Sequence, residues 1–235
     1  MPTLGSGSLL LASAPGSLTS TSKQLVTRFD LHSQAIMHGT SFQFNSRDGP
    51  NKYEEIQAME FDAEQRRMFL ASQGRMISIY DMDNNDAAAA ASAGRVKPPA
   101  LLHRLLNGHE GAVKCLALDA HNSLLASGGS DHVIVLWNLG PRGAERTTSI
   151  WARLHGHTAK VTTVAFAATA DGAAASRLLV SGDSDGHVCV WDTRRRGCVL
   201  AFRAHTSAVL SVQLTARMTL VTASEDKSTK LWQLS

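Results

Sequence analysis

Short apolar runs recur through the second half of the chain. VKCLALD, VTTVAFA and VLSVQLT are apolar at most positions, as expected of strands covered on both faces. Each is followed by a second run (LLASGG, LLVSGD, LVTAS), a polar turn and a third run that ends in Trp (VIVLW, HVCVW, STKLW). Asp185–Gly186 in one of these turns is a strong hairpin signal. The pattern predicts antiparallel sheets of short strands.

The runs belong to a unit that is repeated three times. In each unit a Ser or Thr precedes an Asp by four residues, the Asp precedes a Trp by six, and a His lies upstream. A period of roughly 45 residues with short strands predicts four-stranded sheets packed radially. The four positions are His109, Ser127, Asp131 and Trp137 in the first unit, His157, Ser181, Asp185 and Trp191 in the second, and His205, Thr222, Asp226 and Trp232 in the third.

Two dipeptides make the pattern resemble a known family. Gly108–His109, Gly156–His157 and Trp191–Asp192 are similar to the Gly-His and Trp-Asp signatures of WD-repeat β-propellers. The resemblance implies an all-β fold, a propeller of four-stranded blades with three clear repeats and one degenerate repeat. The blades are expected at residues 53–82, 101–140, 150–193 and 198–235. In the degenerate blade Tyr80–Asp81 replaces Trp-Asp and Lys52 stands at the His position.

The resemblance also gives the repeated polar residues a structural role. In this family the Asp accepts a hydrogen bond from the His, the His contacts the Ser or Thr hydroxyl, and the hydroxyl contacts the Trp indole. A buried chain of this kind is stable only if every member has a partner. The degenerate blade is expected to lack the network.

The rest of the chain carries little repeat signal. Residues 1–22 are rich in Ser and Gly and are expected to be a disordered tail rather than a signal peptide, because no Lys or Arg precedes Lys23. Residues 23–52 are predicted to be a closing strand or a degenerate blade. Residues 83–100 are predicted to be a flexible insertion between blades.

The predicted blades are few for a propeller, which has 4–8 of them. The sequence also ends directly after the third strand of its last repeat. The ring is therefore expected to be incomplete. A fragment, a shortened gene product and a chain that completes its ring with a partner remain open as explanations.

Composition narrows the class of protein. The chain is 43% hydrophobic and 18% charged, which is typical of a globular protein. Its net charge of +3 is far from that of a dedicated nucleic-acid binder. Three separated cysteines, Cys115, Cys189 and Cys198, favour reduced thiols and a cytoplasmic or nuclear location. No apolar stretch is long enough to span a membrane.

The densest polar cluster has a structural explanation. Asp183, Asp185, His187 and Cys189 alternate, so that an extended strand would present them on one face. The repeat assigns Asp185 to the polar network instead of a unique active site. The pair His155 and His157 has no third ligand placed by spacing. We therefore predict no enzyme activity, no catalytic residue, no metal site and no cofactor.

The resemblance also implies a binding surface. Ligand contacts in this family cluster three and five residues after the repeat His and directly before the repeat Asp. Two of these positions hold lysine, which favours an acidic partner segment. The positions are Ala112, Lys114 and Ser130, then Lys160, Thr162 and Ser184, then Ala208, Leu210 and Glu225.

One segment resembles a more specific docking motif. Leu179 to Arg194 is similar to the box by which some propellers dock on the adaptor of a cullin-RING ubiquitin ligase, with Asp192 and Arg194 as the discriminating residues and Asp183 as a mismatch. The expected function is a non-catalytic scaffold that binds other proteins in a complex, with no membrane partner. The alternatives are a ligase substrate receptor and an RNA-processing or ribosome-assembly component.

Overall fold

The computed structural model describes residues 25–29, 36–40, 55–82, 100–141, 144–168 and 178–234. The chain divides into two compact units, Met1–Phe44 and Asn45–Ser235. In the first unit, β1 (Leu25–Phe29) pairs antiparallel with β2 (Ile36–Thr40). Residues 1–22 lie outside the described residues. That residues 23–52 supply a closing strand stays a prediction.

The second unit consists of antiparallel sheets, as expected for an all-β chain. The first sheet contains β3 (Ile56–Asp62), β4 (Arg67–Ser72), β5 (Ile77–Asp81) and β6 (Ala100–Leu105). The second contains β7 (Val113–Leu118), β8 (Leu124–Gly129), β9 (Ile134–Asn138) and β10 (Ser149–Leu154). The third contains β11 (Val161–Phe166), β12 (Leu178–Asp183), β13 (His187–Asp192) and β14 (Gly197–Arg203). The last contains β15 (Val209–Leu214), β16 (Thr219–Ser224) and β17 (Thr229–Gln233).

The sheets follow one another through their first strands. Strand β3 lies beside β7, β7 beside β11, and β11 beside β15. Buried aliphatic side chains fill each of the three spaces between consecutive sheets. The described sheets do not close into a ring. The second and third sheets are therefore covered by a neighbour on each side, whereas the first and last described sheets each have one such neighbour.

Small residues let neighbouring sheets approach closely. A Cβ atom added to Gly128 would lie 2.6 Å from the Val161 side chain of the third sheet. A Cβ atom added to Gly182 would lie 2.6 Å from the Val209 side chain of the last sheet. The Ser-Gly dipeptides of the repeats are thus explained by packing between sheets rather than by a phosphate-binding loop.

The predicted blade bounds differ from the sheets by one strand. The strand at the start of the predicted blade 101–140 is β6, which pairs with β5 of the preceding sheet. The same shift applies to β10 and β14, because each pairs with the strand before it in sequence. Residues 83–99 lie outside the described residues, but they connect β5 to β6 within one sheet. That residues 83–100 form a flexible insertion stays a prediction.

Candidate functional site

The second sheet holds a chain of four polar side chains. The Trp137 indole N–H donates to Ser127 Oγ at 2.9 Å, and Ser127 Oγ lies 2.8 Å from His109 Nε2. His109 Nδ1 lies 3.0 Å from Asp131 Oδ2. Because the indole can only donate, the Ser127 hydroxyl hydrogen is free to donate to Nε2, and Nδ1–H donates to the carboxylate. Every member has a partner when His109 is neutral.

The last sheet repeats this arrangement with threonine in place of serine. His205 Nδ1 lies 2.9 Å from Asp226 Oδ2, and its Nε2 lies 2.8 Å from Thr222 Oγ1. The Trp232 indole donates to the same Oγ1 at 3.1 Å. The structure thus brings together all four residues that the sequence assigned to this unit.

The third sheet corrects the assignment of Asp185. His157 Nε2 lies 2.6 Å from Ser181 Oγ, and the Trp191 indole donates to that oxygen at 2.8 Å. The carboxylate at His157 Nδ1, however, is Asp183 Oδ2, at 2.9 Å. The Asp183 carboxylate is fully buried, whereas Asp185 is exposed in the turn. The prediction of Asp185 as the network carboxylate was wrong.

The residue two places before the repeat Asp explains why Asp183 contacts His157 in place of Asp185. Asp183 aligns with Gly129 of the second sheet. A Cβ atom added to Gly129 would lie 2.4 Å from Asp131 Oδ1 and 2.6 Å from His109 Nδ1. An Asp at this position is thus close enough to the repeat His to supply the carboxylate itself, whereas with Ser224 at the equivalent position of the last sheet the carboxylate is still that of Asp226. Asp183 supplies the carboxylate directly from the end of β12, and its Oδ1 also accepts the backbone N–H groups of Asp185 and His187.

Burial and hydrogen bonding set the protonation states of these groups. Burial lowers the pKa of His109 below its ordinary value, although the Asp131 carboxylate acts to raise it. The lowered pKa favours the neutral ring. Burial alone would raise the pKa of Asp131 and of Asp183, but hydrogen bonds and the neighbouring His outweigh it and leave each pKa lowered. The hydrogen bond from Ser228 chiefly lowers the pKa of Asp226. The carboxylates are ionised at neutral pH.

The first sheet contains a buried ion pair that the sequence did not suggest. Arg67 and Asp62 have no exposed side-chain surface, and Arg67 Nη2 lies 2.9 Å from Asp62 Oδ2. Arg67 Nη1 also donates to the Gly140 carbonyl at 2.8 Å, which joins the first sheet to the end of β9. Lys52 lies outside the described residues, so the absence of a polar network in this sheet stays a prediction.

In each repeat, a backbone hydrogen bond joins two residues of the predicted binding surface. In each repeat, the residue before the repeat Asp donates its backbone N–H to the carbonyl of the residue three places after the His. We call the nine residues of the predicted binding surface the rim: Ala112, Lys114, Ser130, Lys160, Thr162, Ser184, Ala208, Leu210 and Glu225. The three bonds are Ser130 to Ala112 at 2.9 Å, Ser184 to Lys160 at 2.9 Å, and Glu225 to Ala208 at 3.0 Å.

The rim side chains differ in what they offer a partner. Lys114 is half-buried and donates to Gln57 Oε1 of the first sheet at 3.0 Å. Thr162 donates to the Gly182 and Val209 carbonyls. Lys160, Leu210 and Glu225 are exposed, Leu210 by 57%. Of the two rim lysines, Lys160 is therefore the one exposed to solvent, whereas Lys114 is engaged between two sheets.

The two residues of the docking motif lie in the turn between β13 and β14. Asp192 Oδ1 accepts the backbone N–H groups of Arg194 and Arg195 at 2.9 and 3.0 Å. These bonds fix the turn and leave the Arg194 side chain exposed. Asp192 thus shapes the turn, and Arg194 is the residue of the pair that is presented to solvent.

The cysteines and histidines of the described ranges do not form a metal site. No group of three or more His, Cys, Asp and Glu side chains in these ranges is arranged to hold a metal ion. The buried thiol of Cys189 lies 3.9 Å from His157 Nδ1, and burial raises its pKa to about 12. Among the same residues, no helix has the length and apolar character to cross a membrane.

Comparison with known proteins identifies the repeats. A family model described as WD domain, G-beta repeat, matches residues 100–138, 148–192 and 196–233, just over half of the chain. The solved structure titled "Structure of U3-55K" superposes with a TM-score of 0.61 at 22% identity, covering 77% of this chain and 49% of that one. This structural likeness shows the propeller fold alone.

Curated relatives share the repeats but carry them in much longer chains. The F-box/WD repeat-containing protein sel-10 of Caenorhabditis elegans is 33% identical over 52% of this chain and 19% of its own length. The WD repeat and FYVE domain-containing protein 1 of Mus musculus is 25% identical over 57% of this chain and 27% of its own length. The chain thus matches only about a quarter or less of the length of these relatives.

Proposed function

The chain belongs to the WD-repeat family, and on that premise we propose that it is a non-catalytic scaffold that binds other proteins through its rim. The single observation that supports this proposal is the same backbone hydrogen bond across the rim in all three repeats. The bond holds side chains of different chemistry in equivalent places. A binding surface on rigid elements keeps its geometry without ordering cost at the moment of binding.

The exposed rim residues define the partner that fits. Lys160 contributes a cation, Leu210 an apolar contact and Glu225 an anion. Apolar contacts contribute most where a partner excludes water, whereas charged groups chiefly select the partner and its orientation. We expect a partner segment with an acidic residue that reaches Lys160 beside an apolar residue that covers Leu210.

An affinity capture from native cells tests the scaffold. The tagged wild-type chain is compared with a Lys160→Glu/Leu210→Asp variant, and co-purifying proteins are identified by mass spectrometry. The matched control is Arg217→Glu/Leu200→Asp, which changes exposed residues away from the rim by the same charge. Loss of a defined set of partners with the rim variant alone supports the proposal. Equal retention by both variants contradicts it.

A second candidate is a substrate receptor of a cullin-RING ubiquitin ligase. The exposed Arg194 on a turn fixed by Asp192 favours it, because the hydrogen bonds of the turn hold the backbone that presents this guanidinium for docking. Capture of the ligase adaptor by wild type, and its loss with Arg194→Ala, would support this function. Arg195→Ala is the control. Equal loss of the adaptor with both variants would contradict specific recognition of Arg194 in the docking motif. Either function is consistent with a cytoplasmic or nuclear location.

A further inference from the structure

Four neighbouring side chains from two sheets form a cationic, aromatic surface that the scaffold function does not use. We call Trp151, Arg194, Arg195 and Arg196 the arginine–tryptophan patch. Trp151 comes from β10 of the second sheet, and the arginines come from the turn between β13 and β14 of the third. The patch is therefore built by the packing of two consecutive sheets, and the sequence alone does not place its members together.

A local irregularity directs Trp151 outward. The register between β10 and β9 passes from Ile150 to Ala152, so that Trp151 opposes no residue of β9. A bulge of this kind re-aims a side chain, and β10 is the outermost strand of its sheet. The Trp151 side chain is 42% exposed. A large aromatic surface is thus left at the edge of the second sheet.

Arg196 stacks on this ring, and the side chains of Arg194 and Arg195 extend from the same turn into solvent. The Arg196 guanidinium lies 4.5 Å from the centroid of the Trp151 ring. Arg195 has one acidic contact, with Asp192 at 3.8 Å, and its side chain remains 83% exposed. Arg194 is exposed as well. The Asp192 carboxylate accepts backbone N–H groups of the same turn, so the turn is held in place while its guanidinium groups face solvent.

We infer that the arginine–tryptophan patch binds single-stranded nucleic acid. Guanidinium groups bind phosphate in a bidentate manner, and an exposed aromatic face stacks on an unpaired base. A double helix would satisfy the arginines but leave the ring unused, because its bases are already stacked. An acidic peptide would likewise use the charges and not the aromatic face. The combination of ring and guanidinium groups favours a strand with both phosphates and free bases.

The distribution of tryptophans supplies a direct probe of this site. The chain has four tryptophans, and Trp137 and Trp191 are 3% and 1% exposed. Trp232 is half-buried, and its indole donates to Thr222. A base stacking at the patch is therefore expected to quench the fluorescence of Trp151 while leaving that of the network tryptophans largely unchanged.

The experiment titrates the protein with a fluorescein-labelled single-stranded oligonucleotide of about ten nucleotides, read by anisotropy. Unlabelled oligonucleotide is used in parallel to follow tryptophan emission. Trp151→Ala is expected to weaken binding by about tenfold, in the range seen when one stacking platform is removed. Trp151→Phe is expected to retain binding but lose the fluorescence change. RNA and DNA versions of the oligonucleotide distinguish a preference for the sugar.

A charge-matched pair of variants separates the patch from general basicity. Arg194→Ala/Arg195→Ala is expected to weaken binding and to reduce the slope of log affinity against log salt by about 0.7 for each phosphate that the variant no longer neutralises. Arg217→Ala/Lys227→Ala removes the same charge at exposed positions elsewhere and is expected to leave the slope unchanged. Melting temperatures of all variants identify any that fail to fold.

Three outcomes overturn the inference. The first is that the wild-type chain does not bind the oligonucleotide at low salt. The second is that both arginine variants weaken binding equally, which would indicate net charge alone. The third is that an oligoglutamate peptide binds in a patch-dependent manner and the oligonucleotide does not, which would indicate a protein dock. The patch contains no rim residue, and the oligonucleotide titration does not rely on the rim, so failure here is distinguishable from failure of the scaffold proposal.

Discussion

The second and third sheets hold the same polar chain with carboxylates from different positions. In the second sheet Asp131 reaches His109 from the turn after β8, whereas in the third Asp183 reaches His157 from the last position of β12. The His, Ser and Trp contacts differ little between the two sheets. What the fold requires is therefore a carboxylate at one place in space, and not an Asp at one place in the repeat.

The two network carboxylates differ in their exposure to solvent. The Asp183 carboxylate is fully buried, whereas the Asp131 carboxylate is 11% exposed. Removing a buried partner is costly because the groups left behind lose their hydrogen bonds without regaining water. The third sheet should therefore depend more strongly on its carboxylate than the second sheet does.

The largest expected effect is at Asp183. Asp183→Ala removes the acceptor of His157 Nδ1 and of two backbone N–H groups, and should lower the free energy of unfolding by roughly 3 kcal/mol. Asp185→Ala changes an exposed turn residue and should alter it by less than about 0.5 kcal/mol. Denaturant unfolding of both variants provides the measurement. Similar losses in the two would contradict the assignment.

Moving the carboxylate of the second sheet from position 131 to position 129 tests whether the two arrangements are equivalent. Gly129→Ala places a Cβ atom against Asp131 and His109 and should destabilise the protein by about 1–3 kcal/mol. Gly129→Asp/Asp131→Ala gives the second sheet the arrangement of the third and should recover part of that loss. Chemical denaturation of the single and double variants tests this. A double variant less stable than Gly129→Ala would show that the two sheets are not interchangeable.

Removing the network carboxylate should destabilise the protein less in the last sheet than in the third. Asp226 contacts His205 as Asp183 contacts His157, but its carboxylate is 11% exposed. Asp226→Ala leaves groups that water reaches more easily, so we expect a loss of about 1–2 kcal/mol. The thermal midpoints of Asp226→Ala and Asp183→Ala, measured side by side, should differ in that order. The reverse order would remove burial as the explanation.

The smallest expected effect is on the dependence of stability on pH. The lowered pKa of His109 means that the unfolded chain takes up a proton first as pH falls. The contribution of His109 to stability should therefore be constant above neutral pH and fall as pH drops below the ordinary pKa of His, 6.5. The lowered pKa values of Asp131 and Asp183 continue the loss at lower pH. The loss due to His109 is measured by comparing the pH dependence of the unfolding free energy of the wild type with that of His109→Gln.

Much of this architecture could be predicted from the sequence, because strands and polar residues repeat with a fixed spacing. The network residues of the second and last sheets follow from that spacing together with the resemblance to WD repeats. Asp183 was missed because alignment to the repeat selects Asp185, while an Asp two places earlier also reaches the repeat His. The signal was present, since the third sheet has Asp at this position where the second has Gly129 and the last has Ser224.

Features that join different sheets could not be predicted. The Arg67 contact with Gly140, the Lys114 contact with Gln57 and the stacking of Arg196 on Trp151 each connect residues of different repeats. Spacing within one repeat carries no information about them. They depend on how closely consecutive sheets pack, which is set by small residues such as Gly128 and Gly182.

The most direct test of the account is a double-mutant cycle in the third sheet. His157→Ala is combined with Asp183→Ala and, separately, with Asp185→Ala, and the unfolding free energies give the coupling in each pair. We expect a coupling of about 1–3 kcal/mol between His157 and Asp183 and none between His157 and Asp185. Coupling to Asp185, with none to Asp183, would contradict it.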